Sequence, residues 1–337
     1  MSLIVFFLVI MKKGVVGLLY STLIADLFLG LYLIFSTFRV VGFKFSMQKA
    51  KKIAKFGYPF ILVSLSGFVL TYSDRYFLNV YSDLFTVGIY SLAYKFGFIL
   101  GYLAVSPFLQ IWELERLEIA KKKDAARIFT KVFTYFNIGL LLSSIVITLF
   151  VKDVLLIMSE HSFHSAYRIV PIIIAAYVIQ AWTFYCNIGI YLKDGSKHMA
   201  FATMLSAGGV FLLNFILIPK YHAFGAAWAT FGAFLLRFYL VYVFSQRLYY
   251  IDYGWSKQFS LVIFSIGIYF VYAFINIQNI LLSAGLNVFL VSLFLLLTYI
   301  FILDSGEKAM IKTLVRHPGD RIRLRLSGIG ENKDYES

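Results

Sequence analysis

Apolar residues do not alternate along this chain, nor do they recur only on one helical face. They run in blocks of about the length a bilayer needs, separated by short polar clusters. The blocks are Gly14–Phe38, Gly57–Val80, Phe85–Ile111, Phe129–Val151, Ala166–Tyr191, Met199–Ile218, Phe224–Phe244, Gln258–Asn276 and Ile280–Leu303. A helix crossing the hydrocarbon of a bilayer takes about 20 mostly apolar residues. Apart from closed barrels, only helices satisfy their own backbone groups there. The nine blocks therefore predict nine full spans in an all-α, polytopic transmembrane helix bundle. Leu3–Ile10 is apolar but less than half the needed length. Lys12 and Lys13 follow this run, whereas a signal peptide would carry its charge before it, so the run reads as the last part of a helix, a partial tenth span.

Composition agrees and narrows the classes. Of 337 residues, 61% are hydrophobic and 14% charged, against about 45–50% and about 25% in soluble domains. A soluble enzyme, a disulfide-stapled secreted domain and a disordered tail are excluded. The net charge of +14 could signal nucleic acid, but counting by side gives another account. With Arg39–Phe56 placed on the cytoplasmic side, 23 Lys and Arg fall inside and five outside, while Arg75, Lys95 and Arg237 lie within spans. That asymmetry is the positive-inside rule, so the charge reports topology, with the C-terminus cytoplasmic and no nucleic-acid partner. In this count Trp112–Ile128 is an inner loop, and the longest external loop is Lys152–Ser165. The linker 39–56 mixes Lys49, Lys51, Lys52 and Lys55 with Phe45, Ile53 and Phe56, as an amphipathic helix on an anionic leaflet would. Trp112, Tyr249, Tyr250 and Trp255 fall where an inner aromatic belt is expected. Residues 304–337 form a basic tail containing Arg321, Arg323 and Arg325. Cys186 is the single cysteine. His161 and His164 have no further ligand at metal-binding spacing, so no metal or cofactor is expected.

Ionisable side chains inside spans are the candidate functional groups, because each costs at least about 2.5–3.5 kcal/mol on insertion scales. Asp26 falls near mid-span and Lys95 well inside its helix, both too deep to reach the interface easily. Asp74 and Arg75 lie closer to the outer end of theirs. As sequence neighbours they are about 100° apart on a helix and are not expected to pair on one face. Asp74 instead continues a polar stripe of Ser64, Gly67 and Thr71, while Arg75 could equally anchor at outer headgroups. Arg237 lies nearer the inner end of its helix, within snorkelling reach. Gly97-xxx-Gly101 and Gly225-xxx-Ala229-xxx-Ala233 fit close helix packing, and Trp182 reads as a packing residue.

Three stretches resemble the start of the second lobe of O-antigen-type polysaccharide flippases, in the multidrug/oligosaccharidyl-lipid/polysaccharide exporter superfamily: Phe56-Gly-Tyr-Pro-Phe60, Thr71-Tyr-Ser-Asp-Arg-Tyr76 and Val87-Gly-Ile-Tyr-Ser-Leu-Ala-Tyr-Lys95. Tyr191-Leu-Lys-Asp-Gly-Ser-Lys197, Asn214-Phe-Ile-Leu-Ile-Pro-Lys-Tyr221 and Gly225-Ala-Ala227 resemble a later block, with His222 where the family pattern has glycine. Lys12-Lys-Gly-Val-Val-Gly17 is similar to the segment before the last helix of the first lobe. The resemblance implies a two-lobe transporter of which this chain carries residues 1–38 as a remnant of the first lobe and 39–56 as a linker. Residues 57–244 would be the second six-helix lobe, and 245–303 two additional helices. About four and a half first-lobe helices would then be missing from the sequence. It further implies movement of an undecaprenyl-diphosphate-linked oligosaccharide between leaflets of the bacterial inner membrane, without enzymatic chemistry. Lys95, Arg75 and Arg237 would meet the pyrophosphate, and Asp26 and Asp74 would couple an ion or neutralise those bases. Implied partners are the polyprenyl-diphosphate-linked glycan, membrane lipid and surface-polysaccharide assembly proteins. A multidrug exporter of the same superfamily and a membrane glycan polymerase or acyltransferase are the rival classes. The polymerase class calls for a long catalytic loop or clustered His, Asp and Arg, which the sequence does not display.

Overall fold

The computed structural model describes residues 11, 14–42, 46–193, 195–275, 277 and 279–309. Leu3–Ile10, Lys12, Lys13 and the tail from 310, with its arginine run, lie outside them. The chain divides into two compact units, one up to Ile61 and one from Leu62. All regular structure among the described residues is helical. The first unit holds α1 (Gly14–Val41), and the division falls within α2 (Met47–Tyr81). The second unit continues with α3 (Leu84–Leu100), a π turn (Gly101–Val105), α4 (Ser106–Ile119) and α5 (Ala125–Met158). A 3₁₀ turn (His161–Arg168) leads to α6 (Val170–Cys186), α7 (Ile188–Leu192), α8 (Ser196–Leu248), α9 (Trp255–Phe274) and α10 (Ile280–Phe301). Helix starts carry the expected chemistry. The Asp83 carboxylate accepts the Thr86 amide at 2.7 Å to open α3, and Asn279 accepts the Leu281 amide at 2.9 Å to open α10. Pro107 and Pro171 occupy the first turns of α4 and α6, where no amide donor is needed.

Among the described residues, seven helices are long and apolar enough to cross a membrane. This makes the chain an integral membrane helix bundle. The expected spans Met199–Ile218 and Phe224–Phe244 are the two arms of α8, which bends at His222 (φ 49°, ψ −125°). Three sequence expectations need correction. The linker is helical from Met47, with Lys49, Lys51 and Lys52 exposed, but the expected boundary at Phe56 is absent, because the same helix continues to Tyr81. The expected loops are also shorter, since α4 runs on to Ile119 and α5 to Met158. Finally, Trp112 and Trp255 are not belt anchors. Trp112 is 2% exposed and stacks on Tyr185 at 4.6 Å between ring centroids. Trp255 packs among Trp182, Tyr253 and Phe133 and donates to the Tyr242 hydroxyl. Such pairs add about 0.5–1.5 kcal/mol each beyond burial. Tyr250 alone of the four is strongly exposed.

Helix α6 is the central element of the second unit: 78% of the most apolar stretch of Val170–Leu192 is buried, against 50% or less for the other apolar helices. Lipid supplies little hydrophobic drive between helices, so close contact and polar pairing must hold them. Both are present. Asn137 on α5 donates to Gln258 on α9 at 2.8 Å and accepts the Trp182 indole N–H from α6 at 2.9 Å. Gln258 donates in turn to the Thr134 hydroxyl. Asp153, near the end of α5, accepts from Ser283 and Asn287 on α10. The small-residue motifs pack as expected: a Cβ on Gly97 would sit 2.6 Å from the Tyr177 ring, and Ala229 and Ala233 are fully buried. The closest crossing is at Gly189, where a Cβ would lie 2.2 Å from the Ser245 carbonyl oxygen, and its amide donates to the Ser245 hydroxyl at 2.9 Å.

Two stability outcomes follow. Gly189→Ala should cost about 1–3 kcal/mol through overpacking, whereas Gly208→Ala, with open space at its Cβ, should be near neutral; thermal melts of the detergent-solubilised protein compare them. His222 carries a positive φ that favours glycine. His222→Gly should therefore stabilise by about 1 kcal/mol despite losing the Ser82 contact, and a lowered melting temperature would contradict the strain.

Candidate functional site: a buried ion pair in an aromatic cage

Asp74 is the focus of polar contacts between α2, α3 and α8. It is 1% exposed. One carboxylate oxygen accepts from the Arg75 amide at 2.8 Å and from Arg75 Nη1 at 2.7 Å. The other accepts the Tyr90 hydroxyl at 2.5 Å and a longer contact from Thr230 at 3.5 Å. Arg75 Nη1 also donates to the Thr71 carbonyl one turn back, at 2.8 Å. The expectation that Asp74 and Arg75 would not pair is thus overturned. The arginine side chain is long enough to fold back along its own helix, so the angular separation of the two Cβ atoms does not keep the charged ends apart. Outer-headgroup anchoring is also displaced, since the guanidinium turns inward and its side chain is only 20% exposed.

Aromatic faces complete the setting. The Arg75 guanidinium lies 4.2 Å from the Tyr94 ring centroid, 5.2 Å from Tyr72 and 5.4 Å from Tyr90. Tyr90 and Tyr94 are four residues apart, hence on one face of α3. Cation–π attraction reaches about 2 kcal/mol when water is excluded. Adjacent to Asp74, Ser73 accepts from Asn214 on α8 at 3.2 Å. The two charges neutralise each other, with Arg75 held through Nη1 alone. A groove of about 460 Å³ is lined by Thr71 of α2, by Tyr177, Gln180 and Phe184 of α6, and by Gln110 and Glu113 of α4. The π turn Gly101–Val105 contributes to its wall.

The other expected site residues lie elsewhere. Lys95 is exposed on α3 and makes no hydrogen bond or ion pair with the described residues. Arg237 on α8 is half-buried, with its guanidinium 5.9 Å from the Phe184 ring. Asp26, in the first unit, is exposed on α1. Sequence reasoning missed Tyr72, Tyr90, Tyr94 and Thr230. The i, i+4 tyrosines on a helix next to a span containing Asp-Arg were the available signal. It also counted Arg116 as a loop charge, because the apolar block was ended at Ile111; in the structure Arg116 is 5% exposed within α4.

Removing one partner of a buried pair leaves an uncompensated charge, at a cost of about 3–5 kcal/mol. Arg75→Ala should therefore destabilise strongly, and the double substitution Asp74→Ala with Arg75→Ala should cost clearly less than the two single losses added together. Additive losses in a thermal double-mutant cycle would show that the pair is not coupled.

No curated protein and no solved structure matches the chain. One family model does, and its 110 residues contain Asp26, Asp74, Arg75, Tyr90, Tyr94 and Lys95 but not Arg116, Tyr191 or Arg237. Residues 1–110 of this integral membrane protein are similar to the family described as polysaccharide biosynthesis protein.

Proposed function

We propose that the chain acts in a transporter that flips an undecaprenyl-diphosphate-linked oligosaccharide from the inner to the outer leaflet of the bacterial inner membrane, for O-antigen or related surface polysaccharide. The observation that carries this reading is the Asp74–Arg75 pair. It is a fixed, neutralised charge between helices, tied through the Arg75–Thr71 hydrogen bond to a residue that lines a groove with Phe98, Tyr102, Tyr177 and Phe184, within the stretch similar to polysaccharide biosynthesis proteins. A pyrophosphate crossing a membrane needs a shielded polar surface with cations, since its charge cannot enter hydrocarbon. Arg75 has donors beyond the nitrogen held by Asp74 and Thr71, and Lys95 is an exposed cation on the same helical unit, so both are assigned to the pyrophosphate. Arg237 serves the same charge deeper in the unit. Asp74 neutralises Arg75 between transport steps, and Asp26 is the carboxylate assigned to ion coupling. The work is translocation rather than catalysis: no bond is made or broken, and the two leaflets are reached in turn. Surface-polysaccharide assembly proteins would supply and receive the glycan.

The test uses a strain whose surface glycan depends on this gene. Lys95→Ala and Arg75→Lys should each reduce surface glycan several-fold at normal protein level, with no change in drug sensitivity. Undiminished glycan in both would sink the pyrophosphate role, and drug hypersensitivity with intact glycan would point to a multidrug exporter. Asp26→Asn should abolish the dependence of transport on the ion gradient; a dependence left intact removes the coupling role.

A further inference from the structure

A second pocket, of about 340 Å³, lies at the end of the second unit where α5 leads into α6 and α9 into α10. It shares no lining residue with the groove that contains Thr71. Two cations line it, both set against one ring. Lys152 of α5 has its Nζ 6.0 Å from the Tyr167 ring centroid, and the Arg168 guanidinium carbon lies 5.7 Å from the same centroid. Arg168 Nε donates to the Tyr167 hydroxyl at 3.2 Å, which leaves the two Nη groups to other partners. No described carboxylate comes within 4 Å of either cation; the ion pairs among the described residues involve other side chains.

The hydroxyls of the pocket are open as well. Those of Thr148, Tyr269 and Tyr272, like the Lys152 ammonium, make no hydrogen bond with the described residues. Ser283 donates to Asp153 and keeps its acceptor capacity. Elsewhere in this unit polar side chains between helices are paired, as Asn137, Gln258 and Trp182 are. Several open hydroxyls beside two cations, in a space of small-molecule size, therefore suit a ligand with hydroxyls of its own and a negative charge. The walls narrow the chemistry further. Tyr167, Tyr269 and Tyr272 present ring faces, which are electron-rich and favour positively polarised C–H groups. A phosphate has no such groups, and a neutral sugar would leave both cations unanswered. A sugar acid has a C–H face, hydroxyls and a carboxylate in one small molecule. Arg168 is exposed, and the 3₁₀ turn that carries it lies outside the apolar helices, so a polar ligand reaches the pocket without crossing hydrocarbon.

We propose that the pocket between α5, α9, α10 and the 3₁₀ turn binds an acidic sugar, with Lys152 and Arg168 answering the carboxylate and Tyr167, Tyr269 and Tyr272 packing on the sugar ring. This deepens the transport reading by naming a class of sugar, a hexuronic acid, in the glycan. It rests on that reading only for the sugar's being part of a transported glycan.

The experiment measures binding to the purified full chain in phosphatidylcholine nanodiscs, by titration calorimetry and ligand-observed NMR. The probes are glucuronic acid, glucose, inorganic phosphate and phosphatidylglycerol added to the nanodisc. Glucuronic acid should bind saturably and about tenfold more tightly than glucose. Lys152→Gln and Arg168→Gln should each weaken glucuronic acid several-fold and leave glucose unchanged, while Lys152→Arg retains most of the affinity. Tyr269→Leu should weaken both sugars together, which separates the ring contact from the charge contact. Melting temperatures check that the variants are folded; Arg168 is exposed, so its variant remains informative if the others fail. No saturable binding of glucuronic acid, glucose binding as tightly, or affinity unchanged in both charge variants would overturn the proposal. So would inorganic phosphate or phosphatidylglycerol binding more tightly than glucuronic acid and displacing it, since the pocket would then be a general anion or headgroup site. The assay involves no transport. Intact surface glycan in the Arg75 and Lys95 variants would therefore remove the transport reading and leave this site standing, whereas lost glycan there with no glucuronic acid bound here would remove only this site.

Discussion

Between tightly packed membrane helices water is scarce, so a buried polar side chain must be answered by another side chain, and Asp74 shows how far that requirement reaches. Its two oxygens are shared out among Arg75 on its own helix, Tyr90 on α3 and Thr230 on α8. Sliding any of the three helices by one turn would break at least one of these contacts and leave a charge unmatched. The neighbouring Ser73–Asn214 hydrogen bond and the Phe77–Phe211 edge contact at 4.9 Å use the register so fixed. Polar chemistry therefore sets the alignment of these helices, and apolar packing fills in around it.

The other buried carboxylate with its own network, Asp153, is handled differently. It is met by a hydroxyl and an amide from α10, with no cation within 4 Å among the described residues. Hydrogen bonds alone hold α10 to α5 there. The Asp74 setting adds a full positive charge and three tyrosine faces. This contrast separates a carboxylate used as a fastener from one that balances a cation beside a groove. Arg116 and Arg237 complete the range: among the described residues, Arg116 is set against a tyrosine ring and an amide and Arg237 against a phenylalanine ring, without an acid within 4 Å.

Much of the fold was legible because span length is a property of composition alone. Apolar blocks such as Phe129–Val151 and Ile280–Leu303 located helices without any knowledge of neighbours. Block edges were less legible, because a helix continues wherever backbone hydrogen bonds can, whether or not the next residues are apolar. Thus α4 carries Glu113, Glu115 and Arg116 past the expected end, and α5 carries Lys152 and Asp153. The site was half visible. A charge inside a span announces itself by cost, which flagged Asp74, Arg75 and Arg237. Which way a long side chain folds, and which rings from other helices meet it, depends on tertiary packing that spacing does not encode. That is why Arg75 turned towards its neighbour and why Trp112, placed at an interface by its position in sequence, became part of an aromatic core.

The π turn at Gly101–Val105 has a further effect on this helix pair. A π turn takes up one residue more than an α turn, so every side chain after it is turned by about a third of a revolution from where an uninterrupted helix would put it. Trp112 and Arg116 face the interior with that offset in place. The orientation of α4 therefore depends on the turn and the segment's length together. Regularising the turn to an ordinary α-helix at unchanged length would swing the tryptophan and the arginine away from the interior together, whereas loss of one residue along with the turn would keep them facing it. The five-residue turn acts as the phase setting for the whole second half of the helix.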